Sequence, residues 1–180
     1  MPTDPEAIAP APMPAPAPEL VPTRPSIRVA VVMEREAAPN RWEDWRFRVV
    51  EVVPHEDAFG IEARILRDDG KLQRTIHPGF TLELWRDQAE GYWLNLSSGG
   101  PVWFVVWRID DEDPSRAWPE TVSVSYDEAG RWLDAQEKVD NVALQPELVE
   151  WLQAYTDEHY RPEPKKRRRP QSFVSPEQRR

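Results

Sequence analysis

The sequence predicts an α+β domain: a strongly curved antiparallel β-sheet or partly open barrel of about six to eight strands, closed by two C-terminal helices, with disordered tails. Three observations predict it. Apolar residues alternate with period two over most of residues 27–126, and the period then lengthens to about 3.6. Turn-forming Gly, Pro, Asn and Asp residues separate the alternating runs. Finally, Val102–Trp107 (VWFVVW) holds no polar residue, so Trp103, Val105 and Trp107 line one face and Val102, Phe104 and Val106 the other. A strand apolar on both faces must be covered on both, which puts it in the middle of a sheet or barrel.

The elements follow in order. Residues 1–25 hold nine prolines around PAPMPAPAP and are expected to form a disordered, polyproline-like leader. Ser26–Glu34 starts the ordered domain, with Ile27, Val29 and Val31 on one face. Arg35–Trp42 is a loop, and Trp45–Val53 a second strand whose Arg46 and Arg48 point to water. Ile61–Leu66 and Lys71–His77 form a hairpin about Asp69-Gly70, a favoured tight-turn pair. Pro78-Gly79 breaks the chain before a strand at Phe80–Arg86. Tyr92–Leu96 reads as a strand joined to Val102–Trp107 through Ser97-Ser98-Gly99-Gly100-Pro101, and Glu120–Tyr126 supplies the last strand. Ser125 with Glu128 three residues on makes a capping box, so a helix is expected from Ser125 to about Lys138 with Trp132 inward. Val139–Gln145 connects to a second helix that Pro146 opens and that runs to His159. One domain, residues 26–160, therefore lies between the leader and a tail at residues 161–180.

Composition limits the chemistry. There is no Cys, hence no disulfide, thiolate nucleophile or Cys-based metal site. The three His are scattered, without ligand spacing, so no bound metal or cofactor is expected. His55-Glu56-Asp57 reads as a solvated turn, Glu34-Arg35-Glu36 as a strand end with local charge pairs, and Ser97–Gly100 as a turn with neither phosphate-loop nor nucleophile-elbow spacing. No carboxylate pair stands in a setting that would split its pKa values, so the chain reads as a non-enzyme. No apolar run approaches the roughly 20 residues of a membrane span, and the opening MPTDPEAIAP lacks the basic and apolar parts of a secretory leader. The expected location is the cytoplasm.

Charge is unevenly divided. The net −9 combines −2 in residues 1–25, −13 in residues 26–160 and +6 in residues 161–180. Within that tail, Lys165, Lys166, Arg167, Arg168 and Arg169 are consecutive, and Phe173 follows as a lone aromatic. Such a run is a solvated tail, a phosphate or nucleic-acid contact, or a peptide docking on an acidic protein surface. The acidic body repels a polyanion and Phe173 offers an anchor. Lys165–Arg169 and Phe173 are therefore the candidate partner-binding residues, with a protein partner preferred to nucleic acid.

The strings VVMEREAAPNRWEDWRF, EGYWLNLS with PVWFVVWR, SYDEAGRWLDAQEKVDNV and HYRPEPKKRRRPQSF resemble a proteobacterial family of unknown function. The resemblance runs from about Ile27 to Phe173 and leaves out the leader. Members of that family are often encoded beside molybdenum-dependent formate dehydrogenase genes. The resemblance brings no catalytic residues. It implies an accessory protein that binds molybdoenzyme subunits during assembly or regulation of such an enzyme.

Overall fold

The computed structural model describes residues 24–38 and 43–162, and the leader and the basic tail lie outside them. Among the described residues, seven strands form two antiparallel sheets rather than one curved sheet or a barrel. The first sheet holds β1 (Ser26–Ala37), β2 (Trp45–Pro54), β3 (Arg64–Asp68) and β4 (Leu72–Glu83), in the order β2-β1-β4-β3. The second holds β5 (Val102–Ile109), β6 (Ala117–Ser123) and β7 (Val139–Ala143), in the order β6-β5-β7. Among the described residues, three α-helices and two short 3-10 turns (Asp57–Phe59 and Arg86–Gln88) complete the fold, the helices being α1 (Ala89–Leu96), α2 (Tyr126–Asp134) and α3 (Pro146–His159).

The expected central strand is β5. It pairs on both sides, and Trp103 to Trp107 are all buried, as a run without polar residues requires. One core joins both sheets to the helices: Val29, Val31 and Leu82 from the first sheet, Trp103 and Val105 from the second, and Leu148 and Leu152 from α3. A smaller cluster, Ala30, Val32 and Ile76 backed by Val50, Val53 and Phe59, covers the opposite face of the first sheet.

Four expectations are corrected. Tyr92–Leu96 is not a strand; it is the second half of α1. Alternation and helical spacing cannot be told apart over five residues. The helix wins because Tyr92 and Asn95, three apart, turn to one buried side. Asn95 then works as a clamp: its Nδ2 donates to Val102 O (2.8 Å) and Val124 O (2.9 Å), and its Oδ1 accepts from Val102 N (3.0 Å). Pro78-Gly79 does not end a strand either. β4 runs through it as a bulge, where the register against β1 slips between Val29 and Val31 and Gly79 takes φ 99°. Val139–Ala143, expected as a connection, is β7 and pairs with β5. Finally, the first strand extends beyond Glu34 to Ala37.

The two C-terminal helices are where the sequence puts them, although α2 stops at Asp134 and Trp132 is only half-buried. Ser125 is its N-cap and accepts from Glu128 N. The return half of the capping box is relayed, because Glu128 Oε2 accepts from Ser123 Oγ, which in turn accepts from Ser125 N at 2.9 Å. Gly91 of α1 lies against this cap. A Cβ at Gly91 would come 2.2 Å from Ser125 Oγ and 3.2 Å from Asp127 N. Gly91→Ala should therefore lower stability by about 1–3 kcal/mol through overpacking, although alanine gains about 1 kcal/mol in helix propensity. A urea midpoint at or above that of the parent would show that α1 and α2 do not meet there.

Candidate functional site

The two sheets leave a groove at a place the sequence alone does not disclose. β3 and β6 are edge strands of different sheets, and a cavity of about 400 Å³ is lined from both: Ala63 and Ile65 on one lip, Ala117 and Trp118 on the other. Its floor is the alternating face of the first sheet, with Met33 and Arg35 from β1, Phe47 from β2, and Gln73, Thr75 and His77 from β4. The lining mixes polar and apolar side chains, and two of the apolar ones, Ile65 and Trp118, remain 56% and 40% exposed. In a fold with a full core, apolar side chains left uncovered around a concavity mark a surface built for a ligand.

The edges differ in their protection. β2, at the far edge of the first sheet, has its backbone groups taken by side chains: Val49 N donates to Asp140 Oδ2 at 2.8 Å, and Gln145 Nε2 donates to Val52 O. β3 has no such cover among the described residues, and all five of its residues are exposed.

An unusual charged row crosses the opposite face of the first sheet. Glu34, 2% exposed, sits in register between Arg48 on β2 and Arg74 on β4. Arg48 donates through Nε (3.0 Å) and Nη2 to Oε1, and Arg74 through Nε (3.0 Å) and Nη2 (2.7 Å) to Oε2. Burial alone would raise the Glu34 pKa, but the hydrogen bonds from Arg74 and Arg48 outweigh it and hold the carboxyl below its ordinary value. Glu34 is therefore held ionised between its two arginines on that face, while Arg35 and Arg116 are the arginines that line the groove. Arg35 stacks on Trp45, with the guanidinium carbon 4.3 Å from the ring centroid, and its Nη1 donates to Ser115 O at 2.9 Å. Its Nε is buried with no hydrogen-bond partner among the described residues.

Burial pushes the His77 imidazole down to about 4, so it is neutral at physiological pH. A histidine whose folded pKa is depressed stabilises the fold above its unfolded value near 6.5 and loses that contribution as pH falls towards 4. The parent should thus lose stability between pH 6.5 and 4, and His77→Gln should flatten that part of the profile. An unchanged slope in urea melts over this window would place His77 in water.

Lys165–Arg169 and Phe173 lie outside the described residues. His55 is half-buried and edge-on to Phe59, with 6.0 Å between ring centroids, and Glu56 and Asp57 beside it are exposed. Among the described residues, no three His, Asp or Glu side chains gather as a metal set, and no helix is long and apolar enough to cross a membrane. Glu34-Arg35-Glu36 is not a locally paired strand end: Glu34 is bound across strands by residues 14 and 40 positions away in sequence. Strand alternation does put Met33 with Arg35, and Gln73 with Thr75 and His77, on common faces. The pairing of β1 with β4 that joins them spans a distance no local pattern encodes.

These features define a two-sheet α+β domain with an open groove between two strand edges. The chain belongs to a family described as Protein of unknown function (DUF3305), whose model matches residues 28–169. The match takes in Lys165–Arg169 and stops before Phe173. No curated protein and no solved structure matches the chain significantly.

Proposed function

We propose that this chain is a non-catalytic cytoplasmic accessory protein that binds another protein, assisting the assembly or regulation of a formate dehydrogenase-type molybdoenzyme. The observation that carries the protein-binding part is the groove of about 400 Å³ with uncovered Ile65 and Trp118 on its two lips. The molybdoenzyme part rests on the gene company that the family resemblance implies. The tail supplies a second contact, in which Lys165–Arg169 speed association with an acidic surface and Phe173 slows release.

Affinity purification from the native host with mass spectrometry tests this reading. Recovery of molybdoenzyme subunits by the full chain is the expected result. RNA or DNA in their place would favour a nucleic-acid-binding protein that uses Lys165–Arg169. In that case the affinity should fall with salt at a log–log slope of about −4 to −5, the signature of roughly five neutralised phosphates. Removing residues 163–180 should leave the melting temperature nearly unchanged and weaken capture, and equal capture would show the tail to be inert.

A further inference from the structure

We propose that the chain carries its own ligand: the proline-rich stretch of residues 7–18 docks in cis on a second groove, whose aromatic surface is Trp85 and Tyr155. This groove shares no lining residue with the one between β3 and β6.

The second groove holds about 470 Å³ and lies between Arg24 and Pro25, Leu84 and Trp85 just after β4, and Tyr155 of α3. Trp85 is 42% exposed, although the Arg24 guanidinium carbon lies 3.6 Å from its ring centroid. The platform is held from behind. Trp85 N donates to Tyr92 Oη at 3.1 Å, and the buried Tyr92 ring packs edge-on to Tyr155, with 6.2 Å between centroids. Tyr155 in turn packs on His159, with 4.3 Å between centroids. Proline rings pack on such aromatic surfaces, and an indole N–H and a phenol O–H can donate to the carbonyls of a polyproline helix, which has no internal hydrogen bonds.

Two observations select the occupant. The first is where the chain enters. β1 and β4 stay paired to their ends, with Ser26 opposite Glu83, and Leu84 N still donates to Pro25 O at 2.9 Å. Followed backwards, the chain is thereby directed past Trp85, where Arg24 already lies on the ring. Six residues separate Pro18 from Arg24, roughly 19 Å of chain at about 3.1 Å per residue, so the last of the alternating prolines falls within reach. Tethering also raises the local concentration of the segment to the order of millimolar, which makes a weak contact effective.

The second observation is charge. Arg24 stands 3.9 Å from Glu83, and Arg86 is offset by Asp87 beside it, so the groove has no net charge to attract an ion. Residues 7–18 hold five prolines and no charged residue. The five consecutive cations Lys165–Arg169 make the tail the poorer occupant. With three residues per turn, Pro10, Met13 and Pro16 share one face and Pro12, Ala15 and Pro18 another, so the segment can present proline to the groove in more than one rotation.

The test compares two full-length chains by NMR of their Trp indole and Tyr ring signals: the parent, and a variant with Pro10, Pro12, Pro14, Pro16 and Pro18 all replaced by Gly. The Gly variant should shift the Trp85 and Tyr155 signals and leave Trp45, at the far end of β1, in place. A synthetic peptide of residues 7–18 is the probe. It should bind the Gly variant saturably and move both signals back towards their parent positions. It should bind the parent about tenfold more weakly, because the tethered copy competes. Adding Trp85→Ala, an exposed position, to the Gly variant should abolish peptide binding. Equal affinity for parent and Gly variant, no binding to either, or full binding by the Trp85→Ala chain would each overturn the proposal. Parent signals that move on dilution would hand the leader to a second copy and overturn docking in cis.

Discussion

Trp103→Ala should destabilise the fold by about 3–5 kcal/mol, the usual cost of truncating a fully buried aromatic residue. Trp103 is 0% exposed near the start of β5, and the space beside it is bounded by Leu82, Val124, Leu144, Leu148 and Leu152. Those side chains come from the first sheet, the segment before α2, and α3 with its approach, so the cavity would open where the layers meet and could collapse only by moving one of them. A hydrogen bond is lost too. Trp103 Nε1 donates to Gln145 Oε1 at 3.0 Å, and Gln145 Nε2 in turn holds Val52 O on β2. Trp103→Phe separates the two effects, since it keeps most of the packing and strands the Gln145 acceptor, at a cost of about 1–3 kcal/mol. Trp107 is the control: it is 8% exposed, and its buried Nε1 has no hydrogen-bond partner among the described residues, so Trp107→Phe forfeits no bond there and should cost less than Trp103→Phe. Equal urea midpoints for the two phenylalanine variants would remove the Gln145 link from the account. Against a total stability of roughly 5–15 kcal/mol, Trp103→Ala leaves the fold marginal.

The same strand shows how far the sequence can be read. β5 was legible because its constraint is local: six consecutive apolar residues need cover on both faces wherever they sit. The Asp69-Gly70 hairpin and the Ser125 and Pro146 helix starts were legible for a similar reason, since turn and cap chemistry act within a few residues. Tyr92–Leu96 was misread because its decisive partners, the Val102 and Val124 backbone groups held by Asn95, are brought close only by the fold. β7 was missed because Asp140, which breaks its apolar run, is there to take Val49 N, 91 positions away in sequence. The groove was hidden for a stronger version of this reason. It exists only because the chain forms two sheets, and a single curved sheet would have joined β3 and β6 or left them far apart. The tail residues stood out in composition precisely where pattern is strongest and geometry is silent.

Glu34→Gln should cost about 3 kcal/mol, close to the effect of breaking a buried ion pair from one side. The reason lies in the donors. Four guanidinium N–H groups converge on the two carboxylate oxygens, and an amide replaces one acceptor oxygen with a further donor facing one arginine. The arginines soften the loss, because Arg48 and Arg74 are 63% and 40% exposed and can turn to water. The acid profile gives the sharper reading. Because the folded Glu34 pKa lies below its ordinary value near 4.5, its contribution is complete above that value and disappears as pH falls through the depressed one. The parent should therefore lose stability below about pH 4.5 more steeply than Glu34→Gln, and the gap between the two should close at the acid end. The His77 window lies mostly above this, between pH 6.5 and 4, so the double variant with His77→Gln isolates the Glu34 step. A Glu34→Gln curve running parallel to the parent down to pH 2 would mean that the carboxylate gains nothing from its two arginines. The row across β2, β1 and β4 would then be a packing feature without electrostatic weight.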